Sequence, residues 1–170
     1  MKKNAVISID PGMDGAVVLQ FANDPQPFIW DTPTIKLKKG RGYDIAEMVS
    51  IIKQALNMVD VEIHIVHIAI EKVHAMPGQG VTSMFNMGKG FGIWLGIIGA
   101  FRTPYSLITP QAWKKSQLAG YPKGKDVSRL RAIQLYPKLH EELKRKKDVD
   151  RADALLIGRH VLNELIGQNT

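Results

Sequence analysis

At 170 residues, 45% hydrophobic and 23% charged, the chain is one domain's worth of sequence with enough apolar content to bury a core, a composition that excludes disorder. It contains no cysteine, which excludes disulfides and thiolate metal sites and leaves carboxylates and five histidines to ligate any metal ion. The net charge of +7, from 23 Lys and Arg against 16 Asp and Glu, favours a polyanionic partner.

The N-terminal Met1-Lys2-Lys3 precedes an apolar run that stops at Asp10, too short for a secretory signal. The most apolar stretch, Phe91 to Phe101, carries Gly92, Gly96 and Gly99 and is shorter than a membrane span. A soluble, cytoplasmic, unsecreted protein with one domain over residues 1–170 is expected.

Val6–Asp10 reads as a strand buried on both faces, since its β-branched run is continuous rather than alternating. Turn residues fill 10–15, and Ala16–Phe21 returns as the second arm of a hairpin. Pro27–Thr32 reads as a third strand. The turn after the first strand does not open into a helical pattern, so no dinucleotide-binding fingerprint is present. Residues 36–42, Lys-Leu-Lys-Lys-Gly-Arg-Gly, read as a basic loop, either solvated or in contact with phosphates.

Asp44 with Glu47 has the spacing of a capping box. Ile45, Met48, Val49, Ile52, Leu56 and Val59 then recur at helical period, which predicts a helix of about four turns. Glu62 to Glu71 is another apolar strand, in which His64 and His67 read as ordinary strand residues. A polar loop leads to a second helix, Val81 to Arg102. Its glycines at 88, 90, 92, 96 and 99 indicate close packing, a break near 88–92, or a face for a second subunit. Tyr105–Ile108 is a short strand, and Thr109-Pro110 opens a helix with Thr as cap and Pro at its first position.

From there the chain is helical and basic. Lys114, Lys115, Lys123, Lys125, Arg129 and Arg131 cluster around Trp113 and Tyr121. Trp113, like Trp30 and Trp94, reads as core. The last helix, Asp150 to Ile166, buries Ala154, Leu155, Gly158, Leu162 and Leu165.

Two of these strands end on a single acid, Asp10 and Glu71, and Asp150 and Asp153 share one face at the start of the last helix. Alone, an acid there is an N-cap or a first-turn helper. Together with carboxylates at the ends of buried strands, which are costly unless compensated, the four acids point to a divalent cation. All-carboxylate sites select hard ions such as Mg²⁺ or Mn²⁺. Two such ions about 4 Å apart would serve phosphodiester hydrolysis. Asp14 reads as a turn residue, and Asp148 lacks the helical spacing to Asp153 that Asp150 has.

Ile7-Ser8-Ile9-Asp10-Pro11-Gly12, Ile70-Glu71-Lys72-Val73 and Asp150-Arg151-Ala152-Asp153-Ala154-Leu155 resemble the three acidic motifs of the RuvC-type Holliday junction resolvases, in the ribonuclease H-like superfamily. The match runs from the first strand to the last helix. The resemblance implies an α/β fold with a five-stranded mixed sheet, its first three strands antiparallel, flanked by helices. It implies a Mg²⁺-dependent endonuclease of DNA recombination and repair that cuts four-way junctions as a homodimer, with Mn²⁺ able to substitute.

Asp10, Glu71, Asp150 and Asp153 would then be the metal ligands. Lys114 and Lys125 would be the catalytic lysines near the scissile phosphate, an assignment that Lys115 and Lys123 leave open by a residue or two. DNA contacts would come from His74, Lys114, Lys115, Lys123, Lys125 and Arg129. His74 stands where the family carries a stacking aromatic, and an imidazole can also stack on a base. That residue and the Met76–Gly80 loop suggest a divergent branch of phage or organelle type, the latter placing the protein in an organelle matrix. A nuclease for RNA–DNA hybrids or precursor RNA, and a non-catalytic branched-DNA binder, are the competing functions.

Overall fold

The computed structural model describes residues 3–22, 24, 26–59, 63–75 and 77–167. Glu62 and Met76, and the side chain of His64, lie outside what is described.

Strands β1 (Lys3–Ile9), β2 (Ala16–Phe21), β3 (Phe28–Asp31), β6 (Ile63–Glu71) and β7 (Tyr105–Ile108) form one five-stranded sheet in the order β3-β2-β1-β6-β7. The first three are antiparallel, and β6 and β7 run parallel to β1, so the expected mixed sheet is present. β1 is central. Ala5, Ile7 and Ile9 face helices α1 (Ile45–Asn57) and α2 (Val81–Phe101), packing with Met48, Ile52, Trp94 and Ile98. Val6, on the opposite face, packs with Trp113 of α3 (Pro110–Gln117) and with Leu156 and Ile157 of α5 (Val149–Gly167). Helices on both sides leave no polar face, which is why the strand reads as a continuous apolar run.

Caps set the helix starts. The Asp44 carboxylate accepts from the Glu47 backbone N–H at 3.1 Å, and the Thr109 hydroxyl accepts from that of Ala112 at 3.2 Å. α5 follows a short 3₁₀ turn, Lys146–Asp148. It lies close on the sheet at Gly158, where a Cβ would come 2.6 Å from the Ser8 hydroxyl and collide with Gln20.

The sequence expectations need two corrections. The basic segment at 36–42 is not simply a loop: β4 (Thr34–Lys36) and β5 (Arg41–Tyr43) pair as a separate two-stranded hairpin, turning at Gly40 with φ 77°. The glycine-rich helix α2 has no break. Gly90 alone is crowded, its missing Cβ space taken by the Tyr43 ring and the Pro11 carbonyl, while Tyr43 Oη donates to the Asn86 carbonyl at 3.1 Å. Gly88, Gly92, Gly96 and Gly99 face open space. Among the described residues no helix is long and apolar enough to cross a membrane.

Candidate metal centre

In the β1–β6 register Ile9 lies beside Ile70. Asp10 and Glu71, the next residue of each parallel strand, therefore leave the sheet at the same rim, where open α/β sheets bind ligands. α5 crosses above with Asp150 and Asp153 in its first two turns. Asp10, Asp150 and Asp153 each offer a carboxylate oxygen, and these atoms all lie within 4.8 Å of one another. Glu71 stands beside this trio, held by the Trp113 indole N–H, which donates to its Oε1 at 2.9 Å.

The electrostatics are those of a site short of positive charge. Burial, then the charges of Glu71, Asp150 and Asp153, push the Asp10 carboxyl well above its ordinary value, against one hydrogen bond from the Gly12 backbone. Burial, with Asp14 and Glu71, pushes Asp150 up to about 6. Asp153 is also pushed up to about 6 by burial, although a Ser128 hydrogen bond and the Lys114 charge oppose the shift. Its Oδ1 is buried without a hydrogen-bond partner among the described residues. A divalent cation would give that oxygen a partner and would lower all three carboxyls at once, so the donor set fits a hard ion.

The two other acids nearby are otherwise engaged. Asp14 accepts from Arg41 of β5 at 2.8 Å. Asp148 is 3% exposed and takes the Arg145 guanidinium at 2.7 Å and the Arg145 backbone N–H at 2.9 Å, which leaves no oxygen turned to the cluster.

The basic residues separate into groups. Lys114 lies with its ammonium over the Trp113 ring, 5.1 Å from the centroid, and its charge reaches Asp153. Lys115 is exposed on the same helix. Lys123 and Lys125 lie between α3 and α4 (Val127–Leu135), at a cleft of about 710 Å³ that Tyr121, Leu130 and Lys146 also line. Arg129, expected among the DNA contacts, points inward. It pairs with Asp126 at 2.6 and 2.7 Å and donates to the Leu143 carbonyl at 2.9 Å, so it ties α4 to the 143–144 turn. His74 is exposed in the loop after β6, beside a small pocket with Gln79, Met84 and Phe91.

Sequence reasoning missed two contacts. The first is Trp113 on Glu71. The second is Arg151, between the two helix acids, which grips Asp31 of β3 with paired bonds, one of 2.6 Å, and donates to the Glu142 carbonyl at 2.9 Å. That clasp fixes the first turn of α5 to the edge strand and so fixes where Asp150 and Asp153 stand. A Trp amid polar helix residues was a signal for the first; nothing in the sequence joined residues 31 and 151.

Comparison with protein-family models finds no match, and neither does comparison with curated proteins. Solved structures do match. The chain is similar to Thermus thermophilus RuvC in complex with a Holliday junction substrate, with a TM-score of 0.60, 16% identity and 96% of each chain covered. It is also similar to a second structure of Thermus thermophilus RuvC, with a TM-score of 0.57, 17% identity and again 96% of each chain covered. The fold is therefore the RuvC-like, ribonuclease H-like α/β arrangement over nearly the whole chain.

Proposed function

We propose that this chain is a Mg²⁺-dependent endonuclease that resolves four-way DNA junctions by hydrolysing a phosphodiester bond in each of two strands. The observation that carries the reading is the convergence of Asp10, Asp150 and Asp153, with Glu71 beside them, at the rim of a RuvC-like sheet. The structural neighbour bound to a Holliday junction supports the substrate.

Asp10, Glu71, Asp150 and Asp153 would hold Mg²⁺, for which Mn²⁺ can substitute. The ions supply water activation and charge stabilisation at the scissile phosphate. Asp10, Asp150 and Asp153, each raised by burial and by neighbouring acids, would gain most from the cation. Lys114 is the one expected catalytic lysine whose charge reaches the cluster, so it is assigned to the charge that develops on the phosphate. Lys115, Lys123, Lys125 and His74 are assigned to DNA flanking the site. Arg129 is left out, because its donors are spent within the protein.

Resolution of a junction calls for two sites related by a two-fold axis, and we place the dimer on the outward side of α2. The open glycines, the exposed Val81 and Phe85, and the apolar cleft between Ile45 and Phe101 support that face. Membership of a divergent phage or organelle branch rests on His74 and the 76–80 loop and belongs to this proposal.

The test is cleavage of a synthetic four-way junction beside linear duplex and RNA–DNA hybrid, each with Mg²⁺ and with chelator. Symmetric nicks in the junction alone are expected, lost in Asp10→Asn and Glu71→Gln while junction binding persists. Cutting of the hybrid alone would move the protein to the ribonuclease reading. Binding with no metal-dependent cutting would leave only a DNA-binding module.

A further inference from the structure

The indole of Trp113 makes two contacts that bear on the acid cluster from one rigid group. Its N–H donates to Glu71 Oε1 at 2.9 Å, and its ring face carries the Lys114 ammonium at 5.1 Å from the centroid. We propose that Trp113 is the positioning residue of the metal centre: it occupies one oxygen of Glu71 and thereby presents the other, Oε2, to the cation. The proposal rests on the metal-site reading above and deepens it.

An indole N–H is a donor only, so its partner must be an acceptor, and a carboxylate makes that bond charge-assisted. Trp113 is fully buried, packed among Ala69, Ile108, Leu156 and Ile157, and cannot swing to another acceptor. Glu71, by contrast, has three rotatable side-chain bonds and a charge that acts on all three acids. Repulsion alone would turn it outward to solvent. The tether opposes that movement before any cation arrives, and it removes the rotamer freedom that would otherwise be lost on binding.

The anchor itself is held at both ends. α3 starts on the Thr109 cap immediately after β7, and the Lys72 backbone N–H, next to Glu71, donates to the Ile108 carbonyl of β7 at 2.8 Å. Glu71, Ile108, Thr109 and Trp113 thus form a closed loop of contacts that fixes the indole against the carboxylate. Lys114, the next residue, is carried on the same ring and is oriented by the same packing.

The experiment reads the metal-free protein first. In ¹H–¹⁵N spectra of uniformly labelled protein the Trp113 indole N–H is expected downfield of the Trp30 and Trp94 signals and slow to exchange, and Glu71→Ala is expected to move it upfield. An indole signal unmoved by Glu71→Ala overturns the proposal, and this arm needs no tryptophan variant that folds. The second arm is Mn²⁺ affinity by calorimetry. Trp113→Phe keeps an aromatic ring but removes the N–H, and is expected to bind Mn²⁺ about tenfold more weakly, the usual effect of losing a ligand's supporting bond. Trp94→Phe, equally buried but away from Glu71, is expected to lose stability without losing affinity. Wild-type affinity in a folded Trp113→Phe overturns the proposal, as does an equal loss in both variants. Wild-type protein that binds Mn²⁺ but cuts no junction defeats the functional reading and leaves this one standing.

Discussion

Replacing Asp153 by Asn keeps the side chain's shape and removes its charge, which isolates the electrostatic load that the acid cluster carries without a cation. Asp153 ionises at about 6 in the fold against 3.8 in the open chain. A carboxyl raised in the fold is neutral in both states below 3.8, and it lowers stability progressively as pH rises from there to about 6. Linkage makes the ionised group destabilising by about 3 kcal/mol at pH 7.5 and by about 1 kcal/mol at pH 4.5. The assay is urea unfolding in chelator at both pH values. Asp153→Asn is expected to be the more stable protein by about those amounts, an unusual gain for a polar substitution at a packed site. Saturating Mg²⁺ narrows the gap, because an ion at a hundred times its dissociation constant adds about 2.7 kcal/mol to wild type that the weakened site does not receive. A variant less stable than wild type in chelator at pH 7.5 would refute the reasoning, as would a difference that fails to shrink at pH 4.5. Either would mean that Asp153 is satisfied without a cation.

Mn²⁺ affinity should rise with pH through about 6, since Asp150 and Asp153 must shed protons to bind and Asp10 is raised as well; calorimetry at pH 5 and 7.5 checks this. Lys114→Met should slow junction cleavage by about a hundredfold with binding little changed, measured by single-turnover kinetics. Arg129→Met should cost about 2 kcal/mol in urea unfolding and leave the salt dependence of DNA binding as it was, whereas loss of a phosphate contact would lower that slope by about 1. Gly158→Ala should destabilise strongly because Ser8 and Gln20 occupy the space, while Gly96→Ala, facing open space, should gain about 1 kcal/mol from helix propensity unless a second subunit covers it.

Much of the sheet was legible because its cause is local. A strand covered on both faces carries an apolar run rather than an alternation, as residues 6–9 of β1, broken only by the buried Ser8, and residues 68–70 of β6 do; helix α1 shows its period and its Asp44 cap. The hairpin β4–β5 was not legible, since two three-residue strands rich in Lys, Arg and Gly have no apolar pattern and are defined only by each other. The glycines of α2 could not be sorted by type, because crowding at Gly90 depends on Tyr43 and Pro11, far away in the chain. At the acid cluster, spacing was enough to prefer Asp150 over Asp148, and the Arg145 pairing of Asp148 gives the physical reason. Trp113 and Arg129 show the limit. A buried indole looks the same in sequence whether it only packs or also donates, and an arginine in a basic run looks the same whether it faces DNA or the protein's own carbonyls.

The crowding at Gly90 has a mechanical consequence. Where α2 passes Gly90 it has no side chain to yield, and it bears directly on the Tyr43 ring and on the carbonyl of Pro11, the residue after Asp10. The helix is thus packed, without an intervening side chain of its own, on the turn that follows Asp10. Anything seated on the outward face of α2, a second copy of the chain included, is separated from the Asp10 turn only by that contact.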